Sequence, residues 1–223
     1  MNKLYLENQM QRLEKTAANL KKRGFDTYVV QTPDEARALA MRLAPEGESV
    51  AAGGSESLAE CGLIDVLNSG RYNFIDRFAG ETPEEREELT RRAFFCDTYF
   101  CSANAVTEDG IVYNVDGKSN RVAAIAFGPK SVIMVVGRNK ITRDLDEAAA
   151  RVKRIAAPIN CARLGCQTPC AQTGECVSIK AHGTQMTDGC AGDARICCDY
   201  LVLSNQRDKN RIKVILVNEE LGF

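Results

Sequence analysis

Seven of the chain's ten cysteines fall in one stretch: Cys161, Cys166, Cys170, Cys176, Cys190, Cys197 and Cys198. Thiols this dense call for a cation or a covalent bond, because several unpartnered thiolates repel one another and shift toward the protonated form. Compartment decides between bond and metal. The opening residues, Met1-Asn2-Lys3-Leu4-Tyr5-Leu6-Glu7, are too polar for the apolar segment of a secretory signal. The longest apolar runs, 122–127 and 132–136, fall far short of the ~20 residues that span a bilayer. A cytoplasmic protein without a membrane span is therefore expected, and reducing surroundings favour metal binding or redox work over structural disulfides. His182, the only histidine, lies among these cysteines and could complete a mixed Cys/His site or be an ordinary loop residue. Its position argues against a Ser-His-Asp triad elsewhere.

Three further constellations could carry chemistry. Gly53-Gly54-Ser55-Glu56-Ser57 follows a predicted strand and leads into a predicted helix capped by Ser57 and Glu60. Such a turn lets backbone amides approach a phosphate or carboxylate, although a tight strand-to-helix turn explains it equally well. Residues 103–121 hold Asn104, Glu108, Asp109, Asn114, Asp116, Asn120 and Arg121. A carboxylate there, Glu108 first, could act as acid, base or nucleophile while Arg121 clamps an anion; Glu-Asp-Gly is also an ordinary hairpin turn. Gly137-Arg138-Asn139-Lys140 ends a strand, so Lys140 could line a crevice at the strands' carboxyl ends or sit in a solvated loop.

The elements that must position these residues alternate between helix and strand. Leu6, Met10, Leu13, Ala17 and Leu20 recur at helical spacing on an opening helix that Gly24 ends, its Lys21-Lys22-Arg23 run suiting the negative end of the dipole. Thr32-Pro33-Asp34-Glu35 and Thr82-Pro83-Glu84-Glu85 mark two helix starts. Strands are predicted at 27–30, 49–52, 73–75, 98–101, 111–115, 123–127, 131–136 and 212–217, and a helix at 144–155. This alternation predicts an α/β fold with a mostly parallel sheet covered on both faces. The cysteine segment, 158–200, reads as a small metal-binding lobe inserted before the last strand of a single 1–223 domain. With 29 Lys and Arg against 30 Asp and Glu, the net charge of −1 gives no pull on nucleic acid.

Gly53-Gly54-Ser55, Ser102-Ala103-Asn104-Ala105-Val106-Thr107-Glu108-Asp109-Gly110, Asn120-Arg121-Val122-Ala123-Ala124, Phe127-Gly128-Pro129-Lys130, Gly137-Arg138-Asn139-Lys140, Ala157-Pro158-Ile159-Asn160 and Thr168-Pro169-Cys170 occur in that order. Together with the ending from Arg211 to Phe223 they resemble the lactate-utilisation (LUD) domain family across nearly the whole chain. The resemblance implies the three-layer α/β/α fold of the ribose-phosphate isomerase, glucosamine-phosphate deaminase and CoA-transferase superfamily. It also implies lactate or organic-acid utilisation beside oxidoreductase or iron–sulfur subunits. Glu108 is similar to the glutamate that forms the covalent intermediate in CoA transferases, with Asp109 where asparagine is expected.

Members with a cysteine tail match at Cys170, Cys176, Cys190 and Cys197, which makes these the implied metal ligands. Residues 177–189, with His182 among them, look like an insertion, and Cys161, Cys166, Cys198 and His182 are possible additions to the ligand set. Four thiolates satisfy either zinc or a [4Fe–4S] cluster. The surplus of thiols and the family's redox setting put an iron–sulfur cluster ahead of structural zinc. The ligand set expected of the α/β body is Gly53, Gly54, Ser55, Asn104, Asn120, Arg121 and Lys140, around a small anionic metabolite. The alternatives are a CoA-transferase-like or sugar-phosphate isomerase-like enzyme using Glu108 with a zinc lobe, or a non-catalytic oxidoreductase subunit; a homo-oligomer is compatible with each.

Overall fold

The computed structural model describes residues 3–181 and 185–223, so His182 lies outside the described residues. In chain order the elements are α1 (Lys3–Lys22), β1 (Asp26–Val30), α2 (Pro33–Leu43), β2 (Ser49–Ala52), α3 (Glu56–Glu60), α4 (Leu63–Asn68), β3 (Asn73–Ile75), α5 (Pro83–Arg92), β4 (Thr98–Cys101), β5 (Ala105–Thr107) and β6 (Val112–Asp116). There follow α6 (Asn120–Ala126), β7 (Ser131–Gly137), β8 (Ile141–Thr142), α7 (Leu145–Arg151), α8 (Ala157–Arg163), α9 (Pro169–Thr173), α10 (Val177–Ala181), β9 (Asp199–Leu203) and β10 (Ile212–Val217).

Six strands form a sheet in the order β1-β10-β7-β4-β2-β3, with every neighbouring pair parallel. Its two faces can be read from residue parity on β7. Val132, Met134 and Val136 join the core beneath α1 and α6, whereas Ile133 and Val135 join the core beneath α2, α3 and α4. This is the three-layer α/β/α arrangement. All five are wholly buried, and each contributes about 1.5–3 kcal/mol of apolar burial, which makes β7 the spine of the domain. A second sheet, β8-β5-β6-β9, pairs β5 with β8 in parallel and β6 with both β5 and β9 antiparallel.

Caps locate several helix starts as their sequences predict. Thr32 Oγ1 accepts from the Glu35 amide, and Thr82 and Glu85 form a reciprocal capping box. The cap of α3 is Ser55 rather than Ser57. Ser57 is instead buried and donates its hydroxyl to the Leu221 carbonyl at 3.1 Å.

The predicted strand at 123–127 is helix α6. A short apolar run does not by itself separate a strand from a buried helical turn. Here Asp116 decides, because its Oδ2 accepts from the Val122 amide at 2.8 Å and supplies the acceptor that a helix start needs. The helix predicted at 144–155 runs on past Pro158 to Arg163, through a wide π turn at Val152–Ala156. Proline is tolerated because it stands in the first turn after that widening.

From the cysteine-rich part of the chain, Ala157, Met186, Cys197 and Tyr200 pack against Tyr113, Val115, Ala148 and Val152 on the second sheet, α7 and the π turn. Among the described residues no helix is long and apolar enough to cross a membrane.

Candidate functional site

Parallel strands deliver their loops to one end of the sheet, and the carboxyl ends of β2, β3, β4 and β7 surround a cleft of about 320 Å³. Gly54 and Ser55 follow β2, Arg77 follows β3, Ser102 and Asn104 follow β4, and Lys140 follows β7. Asp116, Lys118, Asn120 and Arg121 come from the turn between β6 and α6, and Asn160, Arg163 and Leu164 from α8. Of the ligand residues expected from sequence, Gly54, Ser55, Asn104, Asn120, Arg121 and Lys140 thus meet in one cleft. Gly53 stands behind it: a Cβ there would come within 3.2 Å of both Arg121 Cδ and the Tyr99 hydroxyl.

Five cationic side chains, Arg77, Lys118, Arg121, Lys140 and Arg163, face two carboxylates, Glu56 and Asp116. Both carboxylates are occupied, Asp116 by Arg121 at 2.7 Å and Glu56 by Arg163 at 3.2 Å. Arg77, Lys118 and Lys140 have no carboxylate within ion-pair distance among the described residues, so positive charge outweighs negative in the cleft.

Arg121 is largely a framework residue. Its guanidinium donates to the side-chain oxygens of Asp116, Asn114 and Asn104 and to the carbonyls of Ser102 and Val115, which ties three loops together. Lys140 is different. It is only 4 % exposed, and its Nζ donates to Ser57 Oγ at 2.8 Å and Ser102 Oγ at 3.1 Å. Burial first, then the neighbouring Arg151 and Arg121, bring its ammonium down to about 7. An ammonium that is desolvated and held only by hydroxyls gains most from an incoming carboxylate or phosphate. Arg77 stacks on the Phe78 ring at 4.7 Å, and its buried Nε has no hydrogen-bond partner.

Glu108 does not reach this cleft. It stands in the β5–β6 hairpin turn, where its carboxylate accepts from Arg12 Nε at 2.7 Å and Lys15 Nζ at 3.2 Å on α1. The hydrogen bond from Arg12 is the main cause that keeps its carboxyl below the usual range.

The cysteines meet in a second cavity. Cys161, Cys170, Cys176, Cys190 and Cys197 line it, together with Lys153, Thr168, Met186, Asp188 and Tyr200. Cys170 and Cys161 lie 3.6 Å apart, sulfur to sulfur. Burial, followed by the thiols of Cys197, Cys170 and Cys176, pushes the Cys190 thiol up, which places Cys190 within electrostatic reach of the other three cysteines implied as ligands. Cys166 is half-buried near Cys161, and Cys198 is exposed with its thiol turned to the Arg195 carbonyl. Cys61, Cys96 and Cys101 are buried core thiols away from both cavities.

The cavity has about 20 Å³ of free space, room for roughly one water or a single ion as it stands, so an iron–sulfur cluster would require the lining thiols to move apart. Among the described residues no three Cys, Asp or Glu side chains already converge closely enough to hold a metal. The donor chemistry nevertheless suits a thiophilic metal, with five thiols around one cavity and a buried Asp188 Oδ2 that has no hydrogen-bond partner.

The two cavities are contiguous. Val152, Ala157, Ile196 and Cys197 border both, and the π turn supplies the first of these. Sequence reasoning missed Arg77, Arg163, Lys153 and Asp188. Arg77 had a usable signal, two positions beyond the end of a predicted parallel strand; the others depend on how the chain folds over the second sheet.

Fold and cleft together define a three-layer α/β/α protein with a cleft lined by cationic side chains at the strand ends. The LUD domain family model matches residues 13–217, and the chain belongs to that family. A DUF162 family protein from Deinococcus radiodurans, solved by crystallography, is similar in fold at 14% identity and a TM-score of 0.52, over 94% of this chain and 98% of that one. A weaker likeness, TM-score 0.33 at 19% identity, is to eIF2B delta from Chaetomium thermophilum over 50% of this chain and 48% of the other. No curated protein matches.

Proposed function

We propose that this LUD-domain protein serves lactate or related organic-acid utilisation, binding a small anionic metabolite in the cleft and carrying a cysteine-ligated metal or iron–sulfur centre with an electron-transfer role behind it. The observation that supports this reading is the wall of Val152, Ala157, Ile196 and Cys197 common to the cationic cleft and the thiol cavity. An iron–sulfur centre would supply one-electron transfer to or from the neighbouring site, whereas zinc would supply a fixed structural node.

Cys170, Cys176, Cys190 and Cys197 are the residues that would hold the centre. Lys140 and Arg77 bind the anion, the framework built by Arg121 orients it, and Val152, Leu164 and Phe223 supply an apolar part of the cleft wall. Electrons would pass onward to an oxidoreductase or iron–sulfur subunit as partner. The reading with Glu108 as nucleophile finds no support in the geometry, because Arg12 and Lys15 hold that carboxylate outside the cleft.

Anaerobic purification with metal and acid-labile sulfide analysis and a visible spectrum tests the proposal. Brown protein containing iron and sulfide, with the colour lost in Cys176→Ser, is the expected result. Colourless protein with stoichiometric zinc would reduce the cysteines to a structural role, and protein free of metal would remove the centre altogether.

A further inference from the structure

We infer that Asp188 is a carboxylate ligand of the metal in the thiol cavity, so that the site is mixed sulfur and oxygen rather than thiolate alone. The inference rests on the metal-binding reading above and adds a donor that the cysteine pattern does not contain.

Three observations converge on it. Asp188 lines the same cavity as the five cysteines. Its Oδ2 is shielded from solvent and finds no hydrogen-bond donor among the described residues. A buried carboxylate oxygen left this way costs several kcal/mol unless it is paired or binds a cation. The two nearby cations direct their hydrogen bonds to other acceptors: Lys153 Nζ donates to Ser178 Oγ at 3.1 Å and to the backbone carbonyl of Asp188, and Arg195 donates to backbone carbonyls and the Tyr200 hydroxyl.

The backbone around Asp188 is fixed, while its Oδ2 has no hydrogen-bond partner among the described residues. Its amide donates to the Gln185 carbonyl at 3.2 Å, its carbonyl accepts from Lys153, and the preceding carbonyl, of Thr187, accepts from Arg195 Nη2 at 2.9 Å. Arg195 also donates to the carbonyls of Cys190 and Cys197, so one guanidinium gathers the Asp188 segment and two thiol-bearing segments around the cavity. The anchored main chain keeps Asp188 at the cavity wall, where its unpartnered Oδ2 stands among the thiols as a spare donor. Oxygen and sulfur donors together remain within the range that zinc and iron accept.

The test uses the full chain, reduced, stripped of metal and titrated anaerobically with cobalt(II), whose visible bands report the donor set. Wild type, Asp188→Asn and Asp188→Cys are compared. If Asp188 is a ligand, Asp188→Asn weakens cobalt binding at least tenfold, since even groups that only orient metal ligands contribute 10–100-fold. Asp188→Cys restores tight binding with a stronger thiolate-to-cobalt band. Metal-free Asp188→Asn melts no lower than metal-free wild type, because the carboxylate Oδ2 has no hydrogen bond to lose, and the order reverses once cobalt is bound. Equal affinity and equal spectra for wild type and Asp188→Asn would overturn the inference and leave the thiol site standing. Failure of wild type to bind cobalt or any other metal would overturn both.

Discussion

Replacing Lys140 with methionine tests the electrostatics of the cleft floor. The ammonium is 4 % exposed and held at about 7, against 10.5 for a free lysine, by burial first and by Arg151 and Arg121 next, with Glu60 opposing. Between about pH 7 and 10.5 the unfolded chain carries a proton that the folded chain has shed, so this group makes stability rise with pH by about 1.4 kcal/mol per unit. Below pH 7 both states are charged and the full cost, about 5 kcal/mol, falls on the folded state. Methionine keeps the length and removes the charge, while giving up hydrogen bonds to Ser57 and Ser102 worth about 1 kcal/mol each. Lys140→Met is therefore more stable than wild type near pH 6, and that lead shrinks by about 3 kcal/mol between pH 7.5 and 9.5. For a domain of this size the change amounts to a relative movement of about 6–12 °C in Tm. Parallel thermal melts of the two proteins in a buffer without phosphate or carboxylate measure it. Melting curves that keep a constant separation across that range would show that Lys140 is not desolvated as described, and the assignment of the cleft floor would fail with it.

Arg77→Ala lowers affinity for inorganic phosphate in the cleft by about ten- to a hundredfold, the worth of one charge-assisted hydrogen bond. It costs about 0.5–1 kcal/mol of stability from the lost stacking on Phe78, since Arg77 Nε has no hydrogen bond to lose; isothermal titration and a melt check both halves. Glu108→Gln costs at most about 1 kcal/mol, since Arg12 and Lys15 are 30% and 65% exposed and the pair is screened. The folded pKa of Glu108 is lowered, so this contribution is present above the ordinary glutamate range and fades as pH falls through the folded value. Phosphate affinity of Glu108→Gln stays at the wild-type level, and a large loss would bring Glu108 into the binding site.

Regular, deeply buried elements were legible in the sequence. Ser49–Ala52, Asn73–Ile75, Thr98–Cys101 and Ile212–Val217 are strands with the predicted bounds, because β-branched and aromatic runs between turn residues have few alternatives inside a covered sheet. The 123–127 segment misled because Ala123, Ala124 and Ala126 suit a helix as well as a buried strand, and the deciding contact comes from Asp116 through tertiary structure. Strands β5, β8 and β9 were not foreseen: at Ala105–Thr107 and Ile141–Thr142 they are too short to show a period, and Asp199–Leu203 exists through its pairing with β6.

The cleft was legible as far as the rule that loops at parallel strand ends converge, which gathers Gly54, Asn104 and Lys140. That rule does not tell which arginine holds the frame and which faces the ligand. Arg121 had every appearance of a clamp, yet five protein acceptors engage it, while Arg77 carried no motif. The density of cysteines in one stretch pointed to a shared site, and five of them line one cavity without converging on a metal position among the described residues. The place of Asp188 among them was not legible, because it depends on how Lys153 and Arg195 fix the intervening backbone.

The widened turn at Val152–Ala156 also sets the phase of everything after it. One residue beyond α-helical winding advances the following helix by about 100° relative to the preceding one. That offset deals Cys161 to the sulfur-lined side and Asn160 and Arg163 to the cationic side of a single helical rod. A homologue wound without the extra residue would have to aim these side chains differently, so the helical phase at this point marks which relatives can keep both compartments back to back.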